Sequence, residues 1–286
     1  MLIRLLRPLG AALVSGALAT ASTLDAQAAQ FAAAVVNYTP GAAAGLGYDN
    51  PTAALGSPDG LTGEGFGFPN VLSPFSPAFE SDELVQIGEG GSLTLRLSHF
   101  VQPTSGLELG VFSNAGIADE DFPNGAAGNP PFIFGGGAAV VEVSADGVTW
   151  SSLGAQTFNL PANYYLDSGP FDTTPGTVVA DFGKPFAGAL NDFSGLNHAQ
   201  ILALLDGSAG GTWLDISSTG LPQVGYIRFS LPDDGNSSTN PLFALDAVSL
   251  ATAALGSPVP EPSTWLLLAS GGGIWALARR RAPRTR

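Results

Sequence analysis

Carboxylates are the most plentiful reactive groups in this chain. Of its 286 residues, 24 are Asp or Glu and 10 are Lys or Arg. Acids in such excess suit two kinds of chemistry. A pair about 5–9.5 Å apart, one with a raised pKa, hydrolyses glycosidic bonds. A looser group, completed by backbone carbonyls and water, supplies the roughly six to eight oxygens that calcium takes. No spacing in the sequence selects a catalytic pair. The densest run, Asp119, Glu120 and Asp121, lacks EF-hand spacing, and a solvated loop is its default role.

Other chemistries are poorly served. The two histidines, His99 and His198, stand far apart in sequence, and no G-x-S-x-G elbow presents a nucleophile. Each reads as a structural or surface histidine. No G-x-x-x-x-G-K-[ST] phosphate loop occurs. The chain has no cysteine, which excludes disulfides, thiol catalysis and Cys-based zinc sites. Aromatic residues in turn-like contexts include Tyr48, Phe66, Phe68, Phe122 and the adjacent Tyr164 and Tyr165. The tyrosine pair is the leading sugar-platform candidate; the alternative is that such rings anchor loops to the core.

Charge placement narrows the partners. Residues 29–258 hold 22 acids but three bases, Arg96, Lys184 and Arg228. Nucleic-acid binding needs clustered Lys and Arg to neutralise phosphate, so this stretch is unsuited to it. Anionic lipid head groups are disfavoured for the same reason. A surface this acidic stays solvated or gathers divalent cations.

The two ends read as addresses. Residues 1–28 carry the parts of a signal peptide: Arg4 and Arg7, an Ala/Leu/Val-rich stretch over residues 9–24, and Ala26-Gln27-Ala28 as an A-x-A site for signal peptidase. At the other end Val259, Pro260, Glu261 and Pro262 precede an apolar stretch at residues 264–278, then Arg279, Arg280 and Arg281. Those 15 apolar residues make about 23 Å of helix at ~1.5 Å per residue. A bilayer core is ~30 Å thick, so the stretch suits a temporary stop in the membrane. The arginines keep the tail, residues 279–286, on the cytoplasmic side.

That order of motif, apolar span and basic tail resembles the PEP-CTERM sorting signal of Gram-negative bacteria. The resemblance implies recognition and tail removal by an exosortase, a membrane-embedded cysteine transpeptidase. It also implies transient insertion through the C-terminal span and a cell-surface or extracellular destination associated with exopolysaccharide and biofilm. These residues would be substrate and not catalyst.

Between the ends the pattern is that of strands and turns. Residues 92–98 alternate, with Leu93, Leu95 and Leu97 on one face and Ser92, Thr94 and Arg96 on the other. Residues 31–38, 107–112, 139–143, 224–230 and 243–250 are further strands. Asp146-Gly147 marks a hairpin whose return strand begins at Val148. One helix is expected within residues 194–206, with Ser194 as cap. Residues 115–137 read as an expanded Gly/Pro loop, and 253–263 as a linker. The expected architecture is mostly β: a two-sheet sandwich or jelly roll at residues 29–252 with one short helix.

The succession "GYDNPTAALGSPDG" (47–60), "IGEGGSLTLRLS" (87–98), "GLELGVFSN" (106–114), "VVEVSADGVTWSSLG" (140–154), "AGGTWLDISSTG" (209–220) and "PLFALDAVSL" (241–250) is similar to bacterial surface modules that precede PEP-CTERM tails. Those modules look like discoidin or galactose-binding jelly rolls. The chain departs from their pattern at Glu108, where Asp is usual, and at Ser113, where Glu is usual. The resemblance implies a structural calcium joining an early loop to the last strand. Asp49 and Asp59 are the early candidates and Asp246 the late one. Alternation within residues 243–248 places Asp246 opposite Leu245 and Ala247, towards solvent. The function expected is that of an exported, exosortase-processed, non-enzymatic surface or matrix protein. A lectin-like carbohydrate-binding module is the first alternative and a secreted glycoside-type hydrolase the second.

Overall fold

The computed structural model describes residues 31–42, 44–45, 47–233 and 241–261. The signal-peptide expectation, with Ala26 and Ala28, lies outside them. So do Pro262, the apolar stretch 264–278 and Arg279, Arg280 and Arg281. Among the described residues, no helix is long and apolar enough to cross a membrane.

The first strands are β1 (Ala32–Thr39), β2 (Leu61–Thr62), β3 (Asn70–Val71), β4 (Val85–Gly88), β5 (Ser92–Val101), β6 (Leu109–Ser113) and β7 (Gly116–Ile117). They are followed by β8 (Ile133–Phe134), β9 (Gly137–Ser144), β10 (Ser151–Phe158), β11 (Thr212–Leu214), β12 (Val224–Ser230), β13 (Leu242–Leu250) and β14 (Leu255–Pro258). The helix α1 spans His198–Leu205. The protein is mostly β, as its alternating patterns require.

Six strands form one sheet in the order β1-β5-β12-β9-β10, with β14 also paired to β5. Four form a second, β11-β6-β13-β4. The pairs in both are antiparallel. Their inner faces share one core. Leu93, Leu95, Leu97, Val141, Ile227 and Phe229 enter it from the larger sheet, and Val85, Ile87, Val111, Phe243 and Leu245 from the smaller. Phe158, at the end of β10, joins the two layers: its ring stacks on Phe243 at 4.6 Å and meets Phe229 edge-on at 5.9 Å. Burying each such side chain contributes roughly 1.5–3 kcal/mol.

A second apolar cluster covers the outer face of the four-stranded sheet. Leu72, Leu84 and Phe182, from the connecting segments, pack over Phe112, Ala244 and Ala247. Phe182 meets Phe112 edge-on at 5.2 Å. Both faces of β13 are therefore buried along nearly its whole length.

Local chemistry moved several boundaries. In the β9–β10 hairpin, Gly147 takes the positive φ of 74° and the Asp146 carboxylate accepts the N–H groups of Val148 (2.8 Å) and Thr149 (2.9 Å). Those amides are spent inside the turn, so the return strand begins at Ser151 and not at Val148. The helix is capped by Asn197 and not Ser194: Asn197 Oδ1 accepts from Gln200 N–H at 3.0 Å, and Gln200 Oε1 accepts from Asn197 N–H at 2.9 Å. A separate 3-10 turn, Leu190–Phe193, precedes it. Within 115–137, β7 and β8 pair as a short ribbon. The expected linker at 253–263 is also partly folded. A 3-10 turn, Thr252–Ala254, redirects the chain, and β14 then pairs with β5. The edge of β5 beyond its last partner in β1 is open there, and an unpaired edge recruits any adjacent extended segment.

The departures at Glu108 and Ser113 serve the interior. Glu108 is fully buried, and its Oε1 accepts from Thr104 N–H (2.7 Å) and Oγ–H (2.6 Å). Its Oε2 accepts from Ile216 N–H at 3.0 Å. Ser113 Oγ donates to the Phe158 carbonyl at 3.4 Å.

Candidate functional site

Asp246 is the most unusual side chain in the described structure. The pairing of β13 with β6 shifts between Leu245, opposite Ser113, and Ala247, opposite Phe112. Asp246 is the extra residue of that bulge. The bulge resets the alternation, so Phe243, Leu245, Val248 and Leu250 join the inner core while Ala244 and Ala247 join the outer cluster. Asp246 is 3 % exposed, not solvent-facing as alternation implied, because the segments crossing the sheet cover it. Its Oδ2 has no hydrogen-bond partner. Burial holds its carboxyl well above the ordinary range, and the negative charges of Glu83 and Asp59 raise it further.

Glu83 is buried beneath the same layer. Its Oε2 accepts from Thr62 Oγ–H (2.7 Å), Phe79 N–H (2.9 Å) and Glu80 N–H (2.9 Å). Burial outweighs these donors and raises its carboxyl. Asp59 lies nearer the surface and is raised by burial first, then by Asp82, Glu64 and Glu80. Glu83 and Asp59 both bear on Asp246, so two of the expected calcium residues, Asp59 and Asp246, belong to one electrostatic group. Asp49 is exposed, and it raises the Tyr38 hydroxyl together with the larger effect of burial.

Above this group the ribbon β2–β3 and the segment after Phe79 form a cleft of about 420 Å³ lined by Glu64, Gly65, Phe66, Glu80, Ser81 and Asp82. Gly63 turns the ribbon with φ 83°, placing a 3-10 turn at Glu64–Phe66. Gly65 lets the Glu80 carboxylate approach the backbone: its N–H donates to Glu80 Oε1 at 2.6 Å, and a Cβ there would lie 2.8 Å from the same oxygen. Phe66 stacks on Phe79 with centroids 5.8 Å apart and planes 25° off parallel, and both are exposed.

The tyrosine pair is placed differently. Tyr164 and Tyr165 are half-buried, 4.7 Å apart with planes tilted by 56°. Tyr164 packs against Phe182 at 5.3 Å, part of the layer over the smaller sheet. Asp119 organises its own loop, accepting from the N–H groups of Asp121 (2.8 Å), Ala126 (2.8 Å) and Gly125 (3.1 Å). His99 lies at the end of β5 and His198 opens α1 beside Phe75. Sequence reasoning missed Glu83 and Glu80. Their signal was the density of acids in residues 80–83, three of four, within a chain only 12 % charged.

The sorting residues adjoin the larger sheet. Val259 is buried; its N–H donates to the Ser98 carbonyl at 2.9 Å and its carbonyl accepts from Arg96 Nη1 at 3.0 Å. Pro260 is half-buried and Glu261 exposed. Glu261 Oε1 lies 3.4 Å from Arg96 Nη2.

No curated protein matches the chain. Residues 258–282 match the PEP-CTERM protein-sorting motif. That motif implies an exported chain, transiently anchored in the membrane and processed by an exosortase.

Proposed function

We propose that this exported exosortase substrate is a non-enzymatic component of the bacterial cell surface or exopolysaccharide matrix, its β domain a jelly roll of the discoidin or galactose-binding kind. The sorting motif, following directly on a packed acidic β domain, carries the reading. Calcium completes it. Asp246 Oδ2 is buried without a donor and feels the negative charges of Glu83 and Asp59, and a divalent cation would supply the missing partner and offset the clustered charge. Asp246 and Glu83 would hold the ion, with Asp59 closest to solvent. Among the described residues no three acidic or histidine side chains already converge as ligands, so carbonyl oxygens and water would complete the shell. The ion would tie the loop layer to β13.

The stacked Phe66 and Phe79 beside Glu80 and Asp82 support the lectin-like alternative: flat rings pack on sugar faces and carboxylates accept from hydroxyls. The raised acid, Asp246, lies under the loop layer at 3 % exposure, which suits an ion or a proton better than general acid catalysis on a glycoside. The test is co-sedimentation of the processed protein, purified from its producing strain, with that strain's exopolysaccharide in calcium and in chelator. Saturable pelleting is expected, weaker in chelator. No pelleting in either condition overturns the matrix reading. Loss on Phe66→Ala, with competition by one defined sugar, would establish the lectin-like alternative.

A further inference from the structure

We propose that the folded domain clasps the head of its own sorting motif, with Arg96 as the latch, so that processing waits for residues 259–261 to undock. The proposal rests on the exosortase-substrate reading. Arg96 sits in β5 opposite Ala34 of β1 and Tyr226 of β12. It is 7 % exposed, on the outer face of the larger sheet. A guanidinium so buried needs acceptors, and the motif supplies them: the Val259 carbonyl at 3.0 Å and the Glu261 carboxylate at 3.4 Å. Glu261 is well exposed and its pairing is screened by salt, so the buried carbonyl is the firmer half.

The backbone closes the same clasp. β14 lies along β5 with Leu255 opposite Val101 and Pro258 opposite His99. Pro258 and Pro260 have no N–H, so Val259 carries the one backbone donor of residues 258–260. That donor is spent on the Ser98 carbonyl at 2.9 Å. Ser98 N–H in turn donates to the Phe31 carbonyl at 3.1 Å, so both ends of the domain are tied at one residue. An enzyme that reads this segment as an extended chain needs the polar groups of Val259, and the domain holds both.

The test uses the full chain, expressed with and without the exosortase of its host. Arg96→Met keeps the aliphatic stem and removes the latch. Hydrogen exchange of the Val259 amide, measured on unprocessed protein, should speed up roughly 10- to 150-fold, the range one charge-assisted hydrogen bond is worth. Pulse-chase processing in the exosortase-bearing strain should accelerate similarly. A second variant, His99→Cys with Pro258→Cys, locks β14 to β5 in a chain that has no other cysteine. Its oxidised form should resist processing and its reduced form should be processed. If the locked form is processed at the rate of its reduced form, or if Arg96→Met leaves exchange and processing unchanged, the clasp is refuted as a gate. If exchange accelerates but processing does not, the gate is likewise refuted. A wild-type chain handled identically with and without exosortase overturns the underlying reading instead.

Discussion

Asp246→Asn separates a cation site from an inert buried acid, because the two make opposite predictions about sign. Asn has the shape of Asp without the charge. In chelator at pH 7 the wild-type carboxyl must stay protonated or sit ionised beside Glu83 and Asp59, and either state costs stability. Asn stays polar but removes the uncompensated buried charge, a gain of about 1–3 kcal/mol. A domain of this size gains about 2–4 °C in melting temperature per kcal/mol. The variant should therefore melt roughly 2–12 °C above wild type in chelator. Calcium at a hundredfold excess over its dissociation constant adds about 2.7 kcal/mol to the wild type, or roughly 5–11 °C, and leaves the variant unmoved. Calorimetry of the purified protein with chelator and with millimolar calcium reads all four values. The pH dependence supplies the sign check. A raised folded-state pKa means a contribution fully present below the unfolded value near 3.8 and lost as pH rises through the folded value. Wild type in chelator should gain stability on acidification from pH 7, and calcium should flatten that gain. A wild-type melt insensitive to calcium, with a variant less stable in chelator, would refute the reasoning and leave Asp246 a protonated structural acid.

Two further outcomes test the interior. Glu108→Gln replaces an oxygen that accepts from Thr104 or Ile216 by an NH₂ group, and should cost about 1–3 kcal/mol in chemical denaturation without affecting any calcium shift. His198 is held below its ordinary pKa by burial, so its contribution is fully present above the unfolded value near 6.5 and lost as pH falls through the folded value. His198→Asn should remove that acid-side loss, seen as a flatter melting curve below pH 6.5 in the Asp246→Asn background.

Residue patterns on a single strand were legible. The alternation of Leu93, Leu95 and Leu97 places them in the core with Arg96 on the other face, as period two requires. That Asp246 needs either solvent or a partner was also readable, because an acid inside an apolar strand cannot be left bare; Asp59 as that partner came from the resemblance alone. The orientation of Asp246 was not. A bulge adds one residue and inverts the alternation, and nothing in "FALDAVSL" distinguishes a strand with a bulge from one without. Asp49 lies exposed and Glu83 buried for the same kind of reason: loop acids are sorted by where the chain carries them, which local sequence does not encode.

The C-terminus draws the boundary most clearly. The sorting motif is a linear signal, read residue by residue, and its order of Pro-Glu-Pro, apolar span and arginines was sufficient to recognise it. That Val259 is buried against Arg96, 163 residues away in the chain, was decided by the sheet. Arg96 belongs to a strand flanked by β1 and β12, and β14 reaches it because the edge of β5 runs on past β1. A linear pattern records which groups exist; closing a sheet decides which of them meet, since backbone pairing is satisfied between strands distant in sequence.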